Sequence, residues 1–152
     1  IDSLSSSFVS NNSDRELTIT GGDFNQSAKV WFGNNRMSDV TWNGSTSLLV
    51  KIPAGFAPGN YTVKVKNPSG DRAVQRGFII RVGFTETLSV GDSHAQVKAL
   101  EKRLSTAGYF TAEPDTTFDS DTEEALVRYQ TDNFLQVTGR VDANTRYYLN
   151  NN

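Results

Sequence analysis

The hydrophobic period of this chain changes once, between Val82 and Leu88, and that change limits its possible folds more than any other feature. Before it, short apolar runs alternate with polar residues, as in Tyr61, Val63 and Val65 against Thr62, Lys64 and Lys66. Such alternation puts apolar groups on one face of a strand and lysines on the other. After it, Val97, Leu100, Leu104 and Ala107 recur at helical spacing. A strand and a helix bury their apolar faces in different ways, so the chain predicts two domains, residues 1–83 and 84–152. The link Phe84-Thr85-Glu86-Thr87 is short and is not a Gly/Ser tether, which predicts a restricted mutual orientation.

The first half reads as all-β. Leu17–Thr20, Lys29–Phe32, Leu48–Ile52, Tyr61–Lys66 and Phe78–Val82 are β-branched or aromatic runs. Gly21-Gly22-Asp23, Gly33-Asn34-Asn35, Asn43-Gly44, Pro58-Gly59-Asn60 and Asn67-Pro68-Ser69-Gly70 supply the reversals between them. Short strands at near-regular spacing favour a β-sandwich. Trp31, within an apolar run, is expected in the core; Trp42, beside a turn, is weighed as an exposed sugar platform, with core packing favoured.

The order Ile1-x2-Leu4, Leu17-Thr18-Ile19-Thr20-Gly21-x2-Phe24, Val30-Trp31-Phe32-Gly33, Ile52-Pro53, Gly59-x-Tyr61-x-Val63-x-Val65-x-Asn67-x2-Gly70 and Phe78 resembles the IPT/TIG immunoglobulin-like domain, over about residues 1–82. The resemblance implies an immunoglobulin-like sandwich that serves as a spacer or docks a protein partner.

The second half reads as mainly α, with three helices. Ser93 and Gln96 form a candidate capping box, and Gly108 can end the first helix in the left-handed conformation. Asp119 or Ser120 is a candidate N-cap for a second helix whose core face uses Ala125, Leu126 and Tyr129. Asp142 is the candidate cap of a shorter third helix, with Tyr148 or Leu149 packing back.

Leu88-x2-Gly91, Val97-x2-Leu100-x3-Leu104, Gly108-Tyr109-Phe110, Phe118-x3-Thr122, Ala125-Leu126-x2-Tyr129-Gln130, Leu135-x3-Gly139-x-Val141 and Thr145-x3-Leu149 together resemble the peptidoglycan-binding domain of bacterial wall enzymes, a small three-helix module. The resemblance implies non-catalytic attachment to peptidoglycan, through a shallow groove lined by the turns and the second helix. The candidate contacts it carries over are Tyr109, Phe110, Phe118, Tyr129, Gln130, Gly139 and Arg140. Aromatic faces suit sugar rings, amides suit acetamido and peptide groups, and arginine can pair with stem-peptide carboxylates. For Tyr109, Phe118 and Tyr129 interior packing outweighs ligand contact; for Gln130 and Arg140 the two readings are balanced. The chain departs from the family's common residues at Glu101, Thr117, Asp119 and Phe134. Glu101, with the charge of its domain, would repel anionic wall polymers.

Charge and composition exclude other classes. Residues 1–83 hold nine Lys or Arg against six Asp or Glu, whereas residues 84–152 hold six against eleven. Neither half has the dense basic patch of a nucleic-acid binder. No run approaches the ~20 apolar residues of a membrane span. The chain contains no signal peptide and its first residue is Ile1 rather than Met, so it reads as a piece of a longer, processed protein.

Cysteine is absent and His94 is the only histidine, which leaves no thiol nucleophile and no zinc set. A serine triad would have to use His94 from a different domain than most serines, and no Gly-x-Ser-x-Gly elbow is present, so no catalytic residue is assigned. Asp115, Asp119, Asp121, Glu123 and Glu124 lack the loop spacing of a calcium site, and helix capping accounts for them more economically, so neither metal nor cofactor is expected. The favoured reading is a cell-wall binding module of a secreted or surface protein, outside the cytoplasm. The alternatives are a protein-interaction segment of a surface assembly, or the targeting fragment of a wall hydrolase whose catalytic domain lies elsewhere.

Overall fold

The computed structural model describes all 152 residues, Ile1–Asn152, and the chain forms two compact units, Ile1–Gly83 and Phe84–Asn152. The first is built from β1 (Ser3–Leu4), β2 (Phe8–Ser10), β3 (Arg15–Thr20), β4 (Lys29–Phe32), β5 (Asn35–Arg36), β6 (Val40–Trp42), β7 (Ser47–Ile52), β8 (Gly59–Lys66) and β9 (Arg72–Arg81). They make a four-stranded sheet ordered β1-β3-β7-β6 and a five-stranded sheet ordered β2-β9-β8-β4-β5. Every pairing is antiparallel except β2 with β9.

The alternation of each strand decides what the sandwich buries. Leu17, Ile19, Leu48, Val50 and Ile52 from one sheet face Val30, Phe32, Val63, Val65, Phe78 and Ile80 from the other, all but inaccessible to solvent. Each such side chain contributes about 1.5–3 kcal/mol on burial. Phe32 lies 5.3 Å from the Phe78 ring and meets Phe56 edge-on at 6.0 Å.

Both tryptophans lie outside this core, contrary to the sequence reading. Val30 and Phe32 point inward, so Trp31 between them must point out, and it is only half-buried. The uninterrupted apolar run Val30-Trp31-Phe32 hid that alternation. Trp42 is 39% exposed and its Nε1–H donates to the Phe24 carbonyl at 2.9 Å.

The two sheets also differ in charge. The strands of the five-stranded sheet carry Lys29, Arg36, Lys64, Lys66, Arg72, Arg76 and Arg81 and no Asp or Glu. The other sheet carries only Arg15, Glu16 and Lys51. Sequence separation disperses the cations, and strand pairing gathers them on one sheet.

The second unit contains α1 (Ala95–Thr106), α2 (Ser120–Asp132) and α3 (Ala143–Asn151). Val97, Leu100 and Leu104 of α1, Ala125 and Leu126 of α2, and Leu149 of α3 pack around Leu88, Phe118 and Val141. Gly108 ends the α1 segment at φ +85°, where a side chain would be strained. The start of α1 departs from the expected capping box. His94 is the cap, its Nδ1 accepting the Gln96 N–H at 3.2 Å. Gln96 turns instead toward Thr85, accepting its N–H at 3.0 Å and donating to its Oγ1 at 2.6 Å. Phe84 is buried in the helical core, and the Asn150 amide pairs with both its N–H and its C=O at 2.8 and 2.9 Å. The presumed link is therefore the first packed segment of the helical unit.

Asp119 and Asp142 cap α2 and α3. The Thr122 N–H, followed by its hydroxyl and the Asp121 N–H, holds the Asp119 carboxyl below the usual range, against a smaller opposing effect of desolvation. For Asp142 partial burial alone would raise the pKa, but the Thr145 N–H and the Thr138 and Thr145 hydroxyls outweigh it and the net shift is downward. A depressed folded pKa means stability that is present above the unfolded value of about 4 and is lost as pH falls through the folded value. Thermal melts from neutral pH down to about pH 3 should therefore fall less steeply for a double Asp119→Asn, Asp142→Asn variant, which keeps capping side chains, than for the parent. Parallel acid limbs would contradict the assignment.

Candidate functional site

A groove in the helical unit lies between the turn after α1 and the exposed face of α2. Tyr109, Phe110, Thr111 and Ala112 form one wall, Asp121, Glu124 and Arg128 the other, around a cavity of about 260 Å³. The spacing of 121, 124 and 128 puts these three side chains on one helical face. Arg128 closes the groove: its Nη2 donates to the Tyr109 carbonyl at 2.8 Å and its Nη1 lies 3.8 Å from Glu124.

Tyr109 stands at one end. Its hydroxyl donates to Asp132 Oδ2 at 3.1 Å, and partial desolvation, reinforced by that carboxylate, raises its pKa so that it remains a donor. Its ring meets Tyr129 edge-on at 5.4 Å, and Tyr129 meets Tyr148 at 6.2 Å. Tyr148 is pinned in turn by donating to Asn133 Oδ1 at 2.8 Å. The lining of the groove is polar and carries two carboxylates and one guanidinium. Such a lining suits hydroxyls, amides and amines better than a dense polyanion.

The seven carried-over residues do not share one surface. Tyr109 and Phe110 line the groove, with Tyr129 behind them at 8% exposure. Phe118 is wholly inside the core and presents no surface. Gln130, Gly139 and Arg140 lie across α2 from the groove, since residue 130 follows 123 on the helical face opposite 121, 124 and 128.

Gln130 is completely buried and its amide is used internally. Oε1 accepts the Thr138 and Gly139 N–H groups, both at 3.0 Å, and Nε2 donates to the Arg140 carbonyl and Thr145 Oγ1, both at 2.9 Å. Gly139, at φ +66°, packs so closely that a Cβ there would lie 2.9 Å from Glu123 Oε1. Arg140 is the one of the three with an exposed side chain.

Glu101 also departs from its sequence reading. It is 1% exposed and accepts the Asp115 N–H and the Thr122 hydroxyl, each at 2.6 Å. It braces the segment between α1 and α2 and meets no polymer. The groove residues Thr111, Ala112, Asp121, Glu124 and Arg128 were missed; the Asp121, Glu124, Arg128 spacing was the available signal. Phe134 was noted only as a departure, yet it is 96% exposed at φ +56°, a conformation that costs a side chain about 1 kcal/mol or more.

Residues 1–78 match the IPT/TIG domain family, and residues 93–149 match the family described as "Putative peptidoglycan binding domain". No curated protein sequence matches the chain. Among solved structures, similarity extends to the SleB N-terminal domain, 29% identical, covering 45% of this chain and 93% of that one at a TM-score of 0.43. It extends to a peptidoglycan-binding protein from Clostridioides difficile in complex with glutamine hydroxamate, 18% identical over 67% of this chain and 70% of that one at a TM-score of 0.42. A third is SGBP-B of the Bacteroides ovatus mixed-linkage glucan utilization locus in complex with a mixed-linkage heptasaccharide, 19% identical over 51% of this chain and 20% of that one at a TM-score of 0.38.

Proposed function

Since the chain belongs to the IPT/TIG domain family through residues 1–78, with a peptidoglycan binding domain match over 93–149, we propose that it is a non-catalytic cell-wall module. The helical unit attaches a larger secreted or surface protein to peptidoglycan, and the sandwich acts as spacer or protein-docking unit. The family match over the helical residues carries this reading. The groove supports it with aromatic rings, the exposed residues Thr111 and Ala112, and charged groups of both signs, a lining suited to acetamido sugars and stem peptides. The matched families are described as a peptidoglycan binding domain and an IPT/TIG domain, and no helix is long and apolar enough to cross a membrane. The setting is extracytoplasmic.

An amide-resolved NMR titration of the chain with soluble disaccharide-peptide fragments tests the site. Shifts should concentrate at Thr111, Ala112, Asp121 and Arg128. Shifts confined to Thr138, Gly139 and Arg140 would move the site to the opposite face of α2, and no shifts at millimolar fragment would remove it.

A further inference from the structure

The five-stranded sheet turns a basic and aromatic face outward. In its ladder Trp31 stands opposite Lys64 on one side and Arg36 on the other, and Lys29 stands opposite Lys66. Directly opposed like charges weaken a sheet, so the Lys29 and Lys66 pair adds nothing to folding. Lys29, Arg36, Lys64 and Lys66 are in no ion pair, unlike Lys51, which pairs with Asp14, and Arg128, which pairs with Glu124.

Where β4 begins and β8 ends, Ser27, Lys29, Trp31, Lys66, Asn67 and Pro68 line an open cavity of about 530 Å³. Its rim is fixed, because the Asn67 side chain accepts the Asn25 N–H at 3.1 Å and donates to the Asp23 carbonyl at 2.7 Å. Within it the half-buried Trp31 offers a ring face, and its indole N–H, unlike that of Trp42, makes no bond inside the protein.

We propose that this cavity binds an acidic polysaccharide, with Trp31 stacking on a sugar ring and Lys29 and Lys66 meeting the polymer's anionic groups. Charge complementarity selects an anionic occupant, and the flat indole beside hydroxyl and ammonium donors matches a sugar ring with its substituents. Single-stranded nucleic acid fits less well, since it is held by successive stacking platforms along a basic track, and this cavity holds one, Trp31. The proposal concerns the sandwich and stands or falls separately from peptidoglycan binding by the helices.

Affinity electrophoresis of the full chain in gels containing polygalacturonate, with dextran as neutral control, tests it. The chain should be retarded by polygalacturonate alone, less so as salt rises. Trp31→Ala and the double variant Lys29→Glu, Lys66→Glu should each weaken retardation by about ten-fold. The lysine changes lie at exposed positions, so their thermal melt should match the parent even if Trp31→Ala loosens the sheet. An unretarded parent chain, a charge-reversed variant that binds like the parent, or tighter binding to an oligothymidylate of equal charge would each overturn the proposal.

Discussion

Gln130→Leu is expected to destabilise the helical unit by about 3 kcal/mol. The substitution nearly preserves volume but strands the Thr138 and Gly139 N–H groups, the Arg140 carbonyl and the Thr145 hydroxyl, all partners of the Gln130 amide. A buried polar group left unpaired costs about 1–3 kcal/mol, and neighbouring losses do not simply add. For a unit of this size that loss lowers the helical transition by roughly 15 °C. Arg140→Ala, at an exposed side chain, should change the same melt by less than about 0.5 kcal/mol. If Gln130→Leu melted with the parent and lost only ligand binding, the internal role assigned to the amide would be wrong.

Glu101→Leu should cost a similar amount, about 2–4 kcal/mol, while Glu101→Gln should stay within about 1 kcal/mol of the parent. Leucine leaves the Asp115 N–H and the Thr122 hydroxyl without their acceptor. Glutamine keeps one acceptor for the Asp115 N–H and offers an amide donor that the Thr122 oxygen can accept. Chemical denaturation of the three proteins at neutral pH separates these outcomes. A leucine variant as stable as the glutamine one would show that the carboxylate is not holding the segment before α2.

The architecture was legible where periodicity or cap chemistry is local. The alternation at Tyr61–Lys66 and the spacing of Val97, Leu100 and Leu104 need only neighbours in sequence, and Asp119 and Asp142 are caps because each lies just before its own helix. The strands β1, β2, β5 and β6 were not, for runs of two or three residues carry no period of their own and exist through pairing. The first six residues of β9 were missed for the same reason: Arg72–Gly77 has no apolar run longer than Ala73-Val74 and is held by its register with β8.

The candidate site was legible only in part. Aromatic residues near Gly108 pointed to one wall of the groove, but family position alone could not reveal that Gln130 and Glu101 satisfy distant backbone groups. Nor could it reveal that α2 separates Arg140 from Tyr109. A buried polar residue and an exposed one look identical in a sequence until the element opposite them is known.

Co-sedimentation of the full chain with insoluble peptidoglycan sacculi, at low and moderate salt, tests the central claim most directly. The account predicts that the chain pellets with the sacculi at both salts and that a Tyr109→Ala, Arg128→Ala variant with an unchanged far-ultraviolet circular dichroism spectrum stays largely in solution. A folded parent chain that remains in the supernatant at both salts would contradict it.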